Sequence, residues 1–379
     1  MTKATFPHMG TLAIPMKSLL SNLGLQPVAP PPTSQSTIAI GTKLAPEFAC
    51  LPLKVNLGNY VEAIAKGAEL IFMAGGVGPC RFGYYSQVQR EALRDAGFEV
   101  ELVTLEAPNA DLSELFRQIK KFIPRHSPTA LITALRLFWK KARAIDIFDR
   151  LANKMRACEE SPGAASLIQN KFYHAIDHAE SLKDIKAVLE AFLKELKLIA
   201  HHPDYRPLKI MLLGEIYMVL EPRVNFRIEE TLAQINAPLD LHSHLLHWIA
   251  EHLNLFPSAK KGLSHLLQLA YPYLDSHVGG HGLESVAHGI EAGVNRMDGI
   301  IQLAPFTCMP EIIAMPILST ISTDFSIPAL HLIIDEHSGE TGIHTRLEAF
   351  IDLLKHRKLK SRSDSDAHLQ TALNALQPT

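Results

Sequence analysis

Four cysteines carry the clearest chemistry in this 379-residue chain. Cys80 lies in GGVGPCRFGYY, on a glycine-rich turn that follows the apolar run AELIFMA and precedes the helical pattern YSQVQREALRDAGF. A cysteine that only fills space prefers a buried, well-packed face, so this position calls for another explanation. Cys308 repeats the arrangement in APFTCMPEIIA, between the strand pattern DGIIQL and a helix with Pro310 in its first turn. Cys50, in PEFACLPLK, directly precedes a helix with Pro52 in its first turn. All three sit at or near helix starts, where backbone N–H groups and the helix dipole favour a thiolate. In open parallel sheets ligands collect outside the carboxyl ends of strands, so three such thiols can meet in one cleft. They suit a [4Fe–4S] cubane with one iron left open. They equally suit a zinc ion held by three cysteines with an open position, or three ordinary buried thiols. Cys158 differs. Phe148, Leu151, Met155 and Cys158 recur at spacings of three, four and three, the apolar stripe of a helix, which predicts a small core residue.

The elements that must position these thiols follow from the apolar pattern. Residues 1–107 alternate short strands and helices, as do residues 207–358, whereas 108–206 are dominated by long helical periods. The pattern predicts an α/β protein: two doubly wound, mostly parallel-sheet domains flank a helical domain, with the cluster site in the interdomain cleft. Cys50 and Cys80 then belong to the first α/β domain and Cys308 to the second. Residues 359–379 read as a weakly ordered tail. The segment around VAPPPTSQS reads as loop.

Composition narrows the function. The chain is 47% hydrophobic and 20% charged, so it can build a sizeable core. Lys plus Arg is 37 against 39 for Asp plus Glu, a net charge of -2, which lacks the basic surplus of a nucleic-acid binder. No apolar run reaches membrane-spanning length, and MTKATFPHMG has no signal-peptide core, so a cytoplasmic location is the expectation. There is no GxxxxGK[ST] loop for ATP and no GxGxxG fingerprint for a dinucleotide.

Other residues stand at informative places. Arg81 adjoins Cys80, where its charge would offset a thiolate-held cluster or form a surface salt bridge. The GGHG segment at 279–282 opens a helix, which makes it an anion-binding turn or a turn that simply needs glycine, with His281 as a proton donor. Glu215 and Tyr217 end the strand pattern LKIMLL, so Glu215 is an acid–base candidate or a helix cap. Asp335, Glu336 and His337 end another strand and would line the cleft or cap the last helix. His242, His244 and His247 form a histidine cluster that lacks a completing carboxylate or cysteine and reads as a solvated face.

FPHMG, PEFACLPLK, GGVGPCRFGYY, GEIYMVLEP, GGHGLESV, IQLAPFTCMPE and DEHSGETGIHTRLEAF together resemble the 2-hydroxyacyl-CoA dehydratase and benzoyl-CoA reductase superfamily. The resemblance runs from Phe6 to Phe350 and is strongest to the branch of dehydratase-activase-related proteins. It implies a [4Fe–4S] cluster on Cys50, Cys80 and Cys308 with an open iron site. It also implies low-potential electrons from a separate ATP-dependent activase, for reductive chemistry on a small molecule. A non-enzymatic electron carrier is the alternative. So is a double-cubane cluster shared between the chains of a homodimer, because one chain has too few cysteines for it. That branch has no established acyl-CoA substrate, so dehydration and ring reduction do not carry over.

Overall fold

The computed structural model describes residues 1–76, 78–105, 120, 122–123, 127–201, 208–234, 239–241, 264–265 and 267–375, with the side chains of 128, 239–241 and 360–375 left aside. The histidine cluster at 242–247 lies outside these residues.

The first half contains β1 (Lys3–Thr5), α1 (Ala13–Asn22), β2 (Gln26–Pro27), α2 (Gln35–Leu44), α3 (Leu51–Ala65), β3 (Leu70–Ala74), α4 (Tyr85–Asp95) and β4 (Glu101–Leu105). Its strands form one parallel sheet in the order β2-β1-β3-β4. Alternate residues of β3 serve opposite faces, as the strand period requires. Leu70 and Phe72 pack with Leu20 of α1, whereas Ile71 and Met73 pack with Leu53, Leu57 and Tyr60 of α3 and Leu93 of α4. Helices therefore cover both faces.

Three helices follow: α5 (Pro128–Arg156), α6 (Ala164–Asp177) and α7 (Leu182–Lys197). They bury Phe148 stacked on Phe172, with Ala152, Ile168, Ile176, Ile185 and Leu196 around them. Helix α5 ends at Arg156, so Cys158 sits beyond it in a turn and is only half-buried. The predicted core stripe fails here. Leu151 faces solvent, and Ala152 takes the buried place beside Phe148.

The second half repeats the first. It contains β5 (Ile210–Gly214), α8 (Ile216–Leu220), α9 (Ile228–Gln234), β6 (Leu239–Leu241), α10 (Gly282–Val294), β7 (Gly299–Pro305), α11 (Met309–Asp324), β8 (Ala329–Ile334) and α12 (Glu340–Ala375). Its sheet is parallel in the order β6-β5-β7-β8, the same winding as the first. Ile210, Leu212, Ile301 and Leu303 face Leu347 and Ile351 of α12, and Met211, Leu213 and Ile300 face Val286 of α10 and Leu318 of α11. Helix α12 continues through Ala375, so most of the expected tail is helical along its backbone. Among the described residues no helix is long and apolar enough to cross a membrane.

The expected loop VAPPPTSQS holds through Ser34, and the structure adds α2 directly after it. Ser34 caps it, accepting from the Thr37 N–H at 3.1 Å while Thr37 returns the bond, a capping box. Helix α2 packs onto α3 almost backbone to backbone. A Cβ on Gly58 would lie 1.9 Å from the Thr37 carbonyl oxygen, and one on Gly41 1.6 Å from that of Lys54. Gly58→Ala should therefore cost at least about 3 kcal/mol, the upper range for overpacking, as read by urea unfolding.

Asp149 of α5 and Glu229 of α9 meet across the helical segment and the second half. Desolvation raises Asp149 to about 6 and, with repulsion from Asp149, raises Glu229 to about 7. Both shifts are upward, so between their unfolded and folded pKa values the native state holds more protons than the unfolded chain. Stability should fall as pH rises from 5 to 8, and Glu229→Gln should flatten that slope. A slope unchanged by the substitution would contradict the assignment.

Candidate functional site

Each switch point between neighbouring strands of a doubly wound sheet opens a crevice at the carboxyl ends. In the first sheet the loops after β1 and β3 flank that point, and in the second the loops after β5 and β7 do. These four loops meet. His8, after β1, donates from Nδ1 to Glu221 at 2.8 Å, and the Tyr217 hydroxyl donates to the His8 carbonyl at 2.7 Å. Arg81, after β3, reaches Thr307, after β7.

The three cysteines lie on this seam. Cys50 is the N-cap of α3, Cys308 that of α11, and Cys80 that of the 3-10 turn Arg81–Tyr84. None of the three thiols makes a well-formed capping hydrogen bond, though the Phe82 N–H acts on Cys80 and the Glu311 N–H on Cys308. Glu215, the N-cap of α8, behaves as a conventional cap and accepts from the Met218 N–H at 3.0 Å. Cys50 and Cys308 are buried and Cys80 half-buried. The Cys50 thiol bonds the Tyr85 hydroxyl. The charge of Glu215 acts on all three thiols, and that of Glu311 on Cys80 and Cys308.

The expectation of favoured thiolates does not hold for the bare side chains. Burial is the largest influence on each and pushes all three thiols up, and Glu215 adds to it; Glu311 does so at Cys80 and Cys308. Tyr85 and Arg81 pull Cys50 back in part, and the Phe82 N–H does so for Cys80. A helix terminus contributes about 0.3–1 kcal/mol, less than one pKa unit, whereas burial can move a group by several units.

Two carboxyls share the site. Desolvation raises Glu215 to about 7, opposed by the Met218 and Tyr217 N–H groups. Glu311, three residues after Cys308 and fully buried, is raised to about 8 by desolvation. It accepts from the Ser285 hydroxyl at 3.0 Å on both oxygens and from Gln302 Nε2 at 2.8 Å. Gln302 in turn accepts from His331 Nδ1 at 2.7 Å, across the β7–β8 pairing. Sequence reasoning missed this network, although a glutamine inside the apolar strand GIIQLAP was its signal.

The GGHG loop lies against Cys80. Gly279 and Gly280 have φ of 79° and 49°. A Cβ on Gly279 would stand 2.7 Å from the Cys80 nitrogen, and one on Gly280 3.5 Å from Cys80 Sγ and 3.0 Å from Pro310 Cγ. Both the backbone conformation and the close approach require glycine here. His281 is the buried N-cap of α10. The Arg81 charge acts on Cys50 and Cys80, lowering both thiols, while its hydrogen bonds go to neutral groups. Its guanidinium donates to the Phe48 carbonyl at 3.0 Å and to the Thr307 carbonyl and hydroxyl. Glu336 pairs with the buried Lys54 of α3, Asp335 accepts from Ser338, and His337 is exposed.

The donor chemistry fits an iron–sulfur cluster: three thiols on one seam, with backbone glycines beside one of them and peptide N–H groups acting on two. Among the described residues no three His, Cys, Asp or Glu side chains are gathered tightly enough for a single metal ion. Phe48, Tyr84, Phe306 and Ile312, each within four positions of one of the three cysteines, are exposed.

No protein-family model matches the chain, and no curated protein matches its sequence. A solved structure described as a complex of SsGBP with GDP aligns at 9% identity over 93% of this chain and 99% of that one, with a TM-score of 0.23. A likeness that weak carries no argument about fold or ligand.

The burial pattern makes a chemical prediction. In metal-free protein, iodoacetamide should modify Cys158 first and Cys80 next, with Cys50 and Cys308 about tenfold slower or more, because both exposure and thiolate fraction limit the rate. Peptide mapping over time reads the order, and early modification of Cys308 would contradict it.

Proposed function

We propose that this chain is an iron–sulfur protein carrying a [4Fe–4S] cluster on Cys50, Cys80 and Cys308, with one iron free of protein ligands. It receives low-potential electrons from a separate ATP-hydrolysing activase and uses them in reductive chemistry on a small molecule. The reading rests on one observation above the others: three cysteines on one seam, each at the N-cap position of its own helix or turn. When bound, such a cluster supplies one-electron transfer and an open iron that can hold a substrate oxygen.

The chain's own residues supply the rest. Glu215, raised to about 7, exchanges a proton near neutrality at the strand end beside the thiols. His281, at the head of α10 beside the glycine cradle, is the second proton-donor candidate. Ionisation of either buried carboxyl, Glu215 or Glu311, would add negative charge around the site and lower a cluster's potential. A non-enzymatic electron carrier is the second reading. The exposure of Phe48, Tyr84, Phe306 and Ile312, on the cysteine-bearing segments, favours it, since a redox partner could contact those segments directly.

Anaerobic reconstitution with iron and sulfide tests the assignment. Cys50→Ala, Cys80→Ala and Cys308→Ala should each lower bound iron about tenfold or more, whereas Cys158→Ala should leave it unchanged. Equal loss from Cys158→Ala sinks the ligand set. Reduction by the activase, followed by EPR, should require ATP and fail with a non-hydrolysable analogue. A signal that shifts when substrate candidates are added supports an enzyme, and one that never shifts supports a carrier.

A further inference from the structure

Arg81 touches all three cysteine segments. It follows Cys80 directly, its Nη1 donates to the carbonyl of Phe48, two residues before Cys50, and its Nη2 donates to both the carbonyl and the hydroxyl of Thr307, immediately before Cys308. The Thr307 hydroxyl also lies 3.2 Å from the Phe48 carbonyl, closing a ring of contacts. These bonds cross from the first half of the chain to the second.

Thr307 supplies an independent observation. Its φ is 67°, the left-handed region that a β-branched residue rarely adopts. Such a conformation persists only where the surroundings over-determine it. Here the Arg81 fork holds the Thr307 carbonyl and hydroxyl together, and the same turn sets the direction in which Cys308 leaves for α11.

We propose that Arg81 and Thr307 form a clasp that fixes the Cys308 loop against the Cys50 and Cys80 loops before any metal binds. Arg81 is then a positioning residue, acting through the backbone of its neighbours. This rests on the reading of the three cysteines as one ligand set. The geometry explains why arginine stands there. A planar guanidinium serves two separate carbonyls and a hydroxyl at once, whereas a lysine ammonium carries the same charge without the fork. A purely electrostatic role would be kept by lysine, and the clasp would not.

The test uses the full chain with Cys158→Ser, metal-free and reduced. Dibromobimane fluoresces on bridging two thiols, and mass spectrometry identifies the bridged pair. Wild-type Arg81 should give Cys80–Cys308 and Cys50–Cys308 bridges. Arg81→Lys and Arg81→Met should both lower the rate of those bridges about tenfold, the factor expected for one charge-assisted hydrogen bond. Single-site alkylation of Cys308 should not fall in parallel, and circular dichroism should be unchanged because Arg81 is exposed. Thr307→Gly, which removes both the hydroxyl and the strained side chain, should lower the same bridges. Wild-type rates in Arg81→Lys would overturn the clasp in favour of a charge role, and no Cys308 bridging in the unsubstituted protein would overturn it outright. Clasp-dependent bridging with no cluster on reconstitution would leave the clasp standing and remove the iron–sulfur reading.

Discussion

Helix α3 belongs to two cores at once, and the placement of everything else on the seam depends on it. Leu53, Leu57 and Tyr60 pack under the first sheet, while Leu51 and Val55 join the core of the second. A helix with apolar contacts on both sides cannot be amphipathic, and every residue from 51 to 60 is buried. Two of its polar side chains reach specific partners. Lys54 pairs with Glu336 beyond β8, and Asn59 accepts from the His8 N–H at 3.2 Å. Because Cys50 caps this helix, the element that joins the halves also places the first thiol. The glycine contact with α2 leaves little room for the helix to shift.

A second constraint is electrostatic. Three desolvated thiols and two desolvated carboxyls occupy one region, and the cation beside them, Arg81, is engaged with neutral acceptors. Without metal, the region is tolerable only with its acids largely protonated, which is the direction in which all five groups shift. A bound cluster would take the thiol protons, and the resulting thiolate charge would hold the two neighbouring carboxyls protonated more firmly still.

Much of this was legible in the sequence, and the reasons are local. The apolar runs LIFMA, IMLLG and GIIQLAP are strands buried on both faces, each followed by a chain reversal, so β3, β5 and β7 and the residues after them could be placed. Helix α2 was not legible because the prolines before it dominate the pattern, and its glycine matters only once α3 is beside it. The stripe through Cys158 failed because spacing cannot say where a helix ends. The Arg81–Thr307 and Lys54–Glu336 contacts join residues hundreds of positions apart and have no local signature. Glu311 was visible only as a first-turn acid, and its burial follows from Ser285 and Gln302 on two other elements.

The repeated winding gives the seam its logic. Each half, taken alone, has a switch point but an incomplete set of groups: the first holds Cys50, Cys80 and Arg81, the second Cys308, Glu215 and Glu311. Placing two such sheets with their carboxyl ends together turns two half-sites into one. The junction must then be specific as well as stable, because a small slip would separate the thiols while costing little apolar contact. Polar contacts supply that specificity. His8 with Glu221, Tyr217 with His8, and Lys54 with Glu336 are each paired only in this docking. Breaking a buried ion pair leaves an uncompensated charge and costs about 3–5 kcal/mol, far more than the pair contributes when intact. Such contacts add little to overall stability and much to register, which is what a site divided between two halves requires.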